Sequence, residues 1–324
     1  MRSAPALRRR PASSSEETAP VSQPAPAIAP RKPLPASPCI GVCEMDAAAG
    51  RCRGCARTGD EIARWRDADD AFREAVWAEL PDRIAAMGVN IRRLSWEPVE
   101  ILDFVETTLR EAQGAWVFGV YGAVAEVSRD PGEPIEIRRA EEAVEAVAPR
   151  AALRIRAPRG VRALAWREAP GRPERIVLAL PKVRLGEPGP AALTSLGPDD
   201  AALLPDGLGL PRHDLGLGRA ETRFTVRAAD PALAATLDAA AGTAWPDHLA
   251  AVGAAIVAAS PVRVVETPLG RAEVATAIPA QDGRSPEGPH THLLPDLLAQ
   301  GLATPPALLL PEAYAAGCVF HPAA

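Results

Sequence analysis

Cys39 and Cys43 are separated by three residues and Cys52 and Cys55 by two, with eight residues between the pairs. Four of the five cysteines of the chain therefore fall within one short stretch. Thiolates at such spacings, joined by a loop bearing Gly50, can turn four sulfurs onto one point, which is what a tetrahedral metal site demands. The expected centre is one metal centre bound by Cys39, Cys43, Cys52 and Cys55, either zinc or an iron-sulfur cluster. Zinc pairs tolerate two to four intervening residues, whereas this pattern follows no ferredoxin spacing, so the spacing favours zinc. The competing chemistry is a metal-free redox dithiol at Cys52 and Cys55. Arg51, Arg53 and Arg57 would lower thiol pKa values under either reading and do not separate them.

Other reactive residue types form weaker patterns. His290 and His292 stand in H-x-H spacing and could share a metal with His321, His213 or Glu287 completing the set. Gly288-Pro289 before them and Pro295 after them mark a loop, where hydrogen-bonded histidines are the simpler expectation. His248 lies in an Ala-rich helical stretch and is expected to be a surface or half-buried residue. Cys318 could act as a nucleophile with His321 or His290. Beside Val319 and Phe320 it reads instead as an inert buried thiol. Gly207-Leu208-Gly209 and Gly216-Leu217-Gly218 lack the full spacing of a phosphate loop. Ser195, Ser260 and Ser285 lie in turns without a nucleophile-elbow pattern.

These groups must be positioned by a chain of 324 residues, 47% of them hydrophobic and only 4% aromatic. That length supports one large or two ordinary domains with cores of Val, Leu, Ile and Ala. The net charge of -5 is unevenly placed: residues 1–38 carry six basic and two acidic side chains, +4, leaving -9 on the remainder. An acidic body argues against broad phosphate-backbone binding. Arg51, Arg53, Arg57, Arg64 and Arg66 leave a local nucleic-acid finger as a minor reading. No apolar run is long enough for a membrane span. Clustered cysteines without a secretory signal fit a reducing compartment, with the cytoplasm as the default.

Residues 1–36, rich in Pro, Ala and Arg, have almost nothing to bury and are expected to be a disordered tail. Residues 37–90 follow as a four-cysteine metal-binding module. Thr58-Gly59-Asp60-Glu61 is a capping-box pattern that starts a short helix through Trp65. Asp67 or Asp69 caps a second helix with Phe72, Val76 and Leu80 on one face, which Pro81 ends or restarts. A unit of this size has too small a core to fold comfortably without its metal.

The motifs S-P-C-I-G-V-C, C-R-G-C-x-R-T, E-I-A-R-W and the L-P-D-R ending at Arg83 resemble a small bacterial domain of unknown function, DUF1289, the YdhL-like predicted iron-sulfur family. The resemblance covers residues 37 to about 84. It implies Cys39, Cys43, Cys52 and Cys55 as the matching cysteines and attaches no activity.

Residues 91–324 form the second expected domain. A helix is predicted from Pro98 to about Ala112, with Val99, Leu102, Val105 and Leu109 on one face. Strands are predicted at Ala115 to Val127, Ile135 to Arg138, Leu153 to Arg156, Val161 to Arg167, Arg175 to Leu180, Arg223 to Arg227, Val262 to Glu266 and Arg271 to Ala277. Further helices are predicted at Glu141 to Val147, Pro198 to Leu203, Pro231 to Ala240 and Pro246 to Ala259. Short turns between the strands favour antiparallel pairing, so the fold class is α+β with helices packed on one mostly antiparallel sheet. The ending from Gly288, with a Leu-rich helix and a strand near Cys318 to His321, resembles a second uncharacterised bacterial domain. The function expected from the sequence is a metal-binding accessory or interaction protein with a structural site and a protein partner. The alternative is an iron-sulfur electron-transfer protein serving an enzyme.

Overall fold

The computed structural model describes residues 37–120, 123–169, 171–186, 191–217, 222–278, 287–292 and 310–323. The expected tail at 1–36 and the Leu-rich helix after Pro295 lie outside them. Among the described residues the chain begins with a two-stranded hairpin, β1 Met45–Asp46 and β2 Arg51–Cys52. Two helices follow, α1 Gly59–Arg64 and α2 Asp70–Ala86. The Thr58 hydroxyl accepts from Glu61 N at 3.2 Å, and the Glu61 carboxylate accepts from Thr58 N at 2.9 Å, so the capping box forms. Asp69 caps α2 by accepting from Phe72 N at 2.8 Å. Pro81 does not end that helix, which runs on to Ala86. Burial of Val76, Leu80 and Ile84 along one face outweighs the backbone hydrogen bond that proline removes.

The body begins with β3 Ile91–Arg93 and α3 Pro98–Arg110, then runs as β4 Gly114–Val120, β5 Ala123–Val127, β6 Glu136–Arg139, β7 Ala143–Val147, β8 Ala151–Arg156, β9 Arg162–Trp166 and β10 Arg175–Pro181. It continues with β11 Thr194–Pro198, β12 Pro211–Asp214, β13 Arg223–Arg227, α4 Pro231–Ala239, α5 Trp245–His248 and α6 Ala254–Ala259. The last strands are β14 Arg263–Thr267, β15 Gly270–Val274, β16 His290–His292 and β17 Tyr314–Pro322. Every ladder is antiparallel.

The class is α+β, as the pattern of short turns implies, but the body holds two sheets where one was expected. One runs β16-β5-β4-β17-β10-β9-β3 and the other β11-β12-β13-β14-β15-β8-β7-β6. Trp116, Phe118, Leu178 and Phe320 of the first meet Leu153, Phe224, Val265 and Ala272 of the second in one core. Alternating residues of each strand point there, and burying apolar surface at about 25 cal/mol per Å² drives the two faces together. Two helix expectations also give way. Residues Ala143–Val147 form a strand because Val144 and Ala146 alternate onto the core while Glu145 faces away. Between Pro198 and Leu203 the chain is a loop, followed by a single turn at Pro205–Gly207.

The outer face of the first sheet carries a second apolar cluster. Leu164, Trp166, Val177, Ala179 and Val319 surround Ile40, which is 1% exposed. Ile40 lies between Cys39 and Cys43, so the first cysteine loop is plugged into the sheet. Ile40→Ala is expected to cost about 2–5 kcal/mol in denaturant unfolding, because a branched side chain leaves a closed cavity. Val183→Ala, at a site 93% exposed, should stay within about 0.5 kcal/mol. A cost at Ile40 no larger than at Val183 would contradict the docking.

Candidate metal centre

The hairpin β1–β2 sets up the second cysteine pair. Asp46 accepts from Ala48 N at 3.0 Å and Ala49 N at 2.8 Å, and Gly50 closes the turn with φ +64°. Past β2 the chain turns tightly on itself: Ala56 N donates to Cys52 O at 2.7 Å and Cys52 N donates to Arg57 O at 2.8 Å. Ala56 takes a left-handed φ of +55° inside that turn. Gly54 is required by close approach, since a Cβ there would stand 2.8 Å from Val42 Cβ and 3.1 Å from Ile40 Cγ1. The two cysteine segments are therefore packed against each other.

Three sulfurs accept hydrogen bonds. Gly41 N donates to Cys39 Sγ, Gly54 N to Cys52 Sγ and Arg57 Nε to Cys55 Sγ, each at 3.4 Å. Cys52 and Cys55 are buried, Cys39 is half-buried and Cys43 is exposed with φ +52°. Burial pushes the Cys55 thiol up, against the pull of Arg57, and the neighbouring Cys52 charge adds to the rise. Among the described residues, no three His, Cys, Asp or Glu side chains converge as a set that could hold a metal ion. The donor chemistry nevertheless fits a thiophilic metal: all four candidates are sulfur, and N–H donors aimed at three of them fix the direction in which those sulfurs face.

The five arginines near the cysteines do not form one basic face. Arg53 pairs with Glu44 at 3.0 Å and Asp46 at 3.5 Å, Arg57 is buried over the Trp65 ring and Arg64 lies over Phe72. The other sequence candidates are dispersed. His290 sits in β16, an edge strand where a loop was expected, with Nδ1 donating to Gly288 O at 2.7 Å and Nε2 at 4.0 Å from Glu126. His292 pairs across the backbone with Val124. His213 Nε2 meets Asp238 at 2.9 Å, and His248 is buried against Thr243 and Trp245 and not surface-placed. His321 is pulled down to about 4 by burial, with Arg175 acting the same way. Cys318 is 2% exposed in the inter-sheet core, and burial pushes its thiol far up, which leaves it unreactive. Ser195 pairs across the ladder with His213, but Ser195 is exposed while His213 is buried.

One cluster escaped the sequence reading. Arg227, Arg271, Glu273 and Asp199 are nearly fully buried on the face of the second sheet that points away from the core. Asp199 binds Arg227 at 2.7 Å and also Arg271, while Glu273 binds Arg271 at 2.7 Å and Arg227 at 2.5 Å. Glu273 further accepts from Leu203 N at 2.9 Å and Leu204 N at 3.0 Å, so the Asp199–Gly207 segment is strapped over the charges. The strands R-F-T-V-R and G-R-A-E-V show the alternation that normally marks a solvent face. A covering loop is what changes the meaning of that pattern. Beside the strap lies a cavity of about 560 Å³ lined by Ile135, Val147, Leu204, Gly207, Arg227 and Val262. Arg227 is already matched by Asp199 and Glu273, and the same cavity is also lined by Glu136 and Asp206.

The architecture defines a two-sheet antiparallel body that carries a cysteine loop on the outer face of its first sheet. Residues 100–324 match the model of a family of unknown function, DUF6925, and the chain belongs to that family. Residues 37–84 match a protein of unknown function, DUF1289, the segment that carries the four cysteines. No curated protein and no solved structure matches the chain. Among the described residues, no helix is long and apolar enough to cross a membrane.

Proposed function

We propose that the chain is a metal-binding accessory protein in which Cys39, Cys43, Cys52 and Cys55 hold one metal centre of structural type. The observation that carries the reading is the set of three N–H donors already directed at Cys39, Cys52 and Cys55. Such bonds orient the sulfurs, the role that outer-shell donors play in metal sites. Binding would draw the exposed Cys43 into the set and lend its free energy to a module whose own core is small. Zinc is the favoured occupant on spacing, in a reducing compartment such as the cytoplasm. A protein partner suits the loop, where Val42 and Met45 stand exposed on either side of Cys43 and Glu44.

An iron-sulfur cluster for electron transfer to an enzyme is the second reading. The exposure of Cys43 favours it, because electrons must reach the centre from the surface. Metal content and a visible spectrum of protein purified without oxygen decide between the two. About one zinc per chain and no colour is expected. Iron with matching sulfide and a charge-transfer band would replace zinc by the cluster. Absence of both metals from protein reconstituted with either one would end the metal-binding reading.

A further inference from the structure

Two buried arginines lie against the cysteine loop with no carboxylate in salt-bridge contact among the described residues. Arg57 is 4% exposed, covers the Trp65 ring at 4.7 Å and donates to Cys55 Sγ. Arg93 is 7% exposed and donates to the carbonyl of Ser37, two residues before Cys39. Its Nε has no acceptor. Burial lowers Arg93 to about 10, with Arg162 acting the same way and Tyr314, Glu97 and Cys39 opposing. Other arginines of the same segment are differently placed: Arg53 meets Glu44 and Asp46, and Arg83 meets Glu61 and Glu79. A buried cation without a counter-ion is costly, so a negative charge is called for at this spot.

Four thiolates around a divalent metal carry a net charge of about -2, and four thiolates around an oxidised cluster carry the same. Arg57 and Arg93 approach that centre from opposite ends of the loop, one at Cys55 and one at the Ser37 entry to Cys39. We propose that Arg57 and Arg93 are the counter-charges of the cysteine centre, neutralising the dianion formed when the four thiolates close on their metal and setting how tightly it is held. The inference rests on the metal-binding reading above and holds for either metal. The two arginines are positioning residues and are not ligands.

The test is an anaerobic titration of the reduced full-length chain with cobalt(II), whose sulfur-to-metal absorption reports thiolate coordination. Arg57→Gln, Arg57→Lys and Arg93→Gln are compared with the wild type, with far-UV circular dichroism as the check on folding. Each glutamine variant should keep the absorption band and bind cobalt about 10- to 100-fold more weakly, the usual reach of outer-shell partners. Arg57→Lys, which keeps the charge, should bind more tightly than Arg57→Gln. Wild-type affinity in both glutamine variants overturns the proposal while leaving the metal-binding reading intact. A wild-type chain with no thiolate band removes both. If Arg57→Gln does not fold, Arg93→Gln is read against Arg93→Lys, which keeps the charge and should bind cobalt more tightly; equal weakening in both would assign Arg93 a structural role and overturn the proposal.

Discussion

Cys52→Ser is expected to abolish metal binding and to unfold the segment around α1 and α2. Cys52 is the cysteine most firmly held in place. It is buried, its sulfur accepts from Gly54 N, and its backbone N and O both close the turn to Arg57 and Ala56. Among the described residues, the apolar cluster of that segment is small: Ala56, Val76, Leu80 and Ile84 are buried, with Trp65, Phe72, Trp77, Met87 and Val89 only partly buried against them. Structural zinc contributes roughly 10–16 kcal/mol in small thiolate modules, far more than such a cluster supplies. The variant should carry less than about a tenth of the wild-type metal and lose helical signal. Cys318→Ser, altered in the inter-sheet core, should keep its metal. A Cys52→Ser protein with full metal content and full helicity would sink the account of this segment.

The second large effect lies in the body. Asp199→Asn leaves buried Arg227 with Glu273 alone and Arg271 with Glu266 and Glu273, and it loosens the strap of Asp199–Gly207 over the sheet. Removing one partner of a buried ion pair costs about 3–5 kcal/mol, since the remaining charge is out of water. For a body of this size that lowers Tm by roughly 6–20 °C in a thermal scan. Burial pushes the Asp199 carboxyl up, but the hydrogen bonds and charges of Arg227 and Arg271 outweigh it and hold it below the usual range. The contribution is therefore present above the unfolded value of 3.8 and lost as the pH falls through the lower folded value. The variant should accordingly lose less stability than the wild type as the pH falls below 3.8. Equal Tm values at pH 7 would show that the charges are not closed in as described.

Local signals in the sequence carried the helical segment well. The capping box at Thr58, the cap at Asp69 and the proline start of α3 form as written, because each depends on neighbours within four residues. The strands R-I-V-L-A-L-P and R-V-V-E-T were legible as strands from their β-branched content. Their division between two sheets was not, since pairing partners such as β8 and β15 lie over a hundred residues apart. Glu141 to Val147 misled because its composition favours a helix while its period of two favours a strand, and the core decides. The cysteines announced themselves by spacing. Arg93, by contrast, stands 54 positions after Cys39 and reaches the loop only through the sheet edge, so no local pattern could flag it.

The fusion of the two segments has a physical counterpart in Ile40 and Arg93. One apolar side chain from between two cysteines fills the outer cluster of the body, and one guanidinium from the body holds the carbonyl of Ser37. A metal held by the loop would therefore be felt by the sheet beneath it, and partner binding at the loop would rest on a rigid support.

The most direct measurement is X-ray absorption at the metal edge of the anaerobically purified full-length protein. The account predicts four sulfur neighbours at about 2.3 Å and no nitrogen or oxygen in the first shell, whether the metal is zinc or a surrogate cobalt. For iron, additional sulfide and iron scatterers would accompany the cysteine sulfurs. A shell dominated by nitrogen and oxygen, or one with fewer than three sulfurs, would contradict the claim that Cys39, Cys43, Cys52 and Cys55 form one centre.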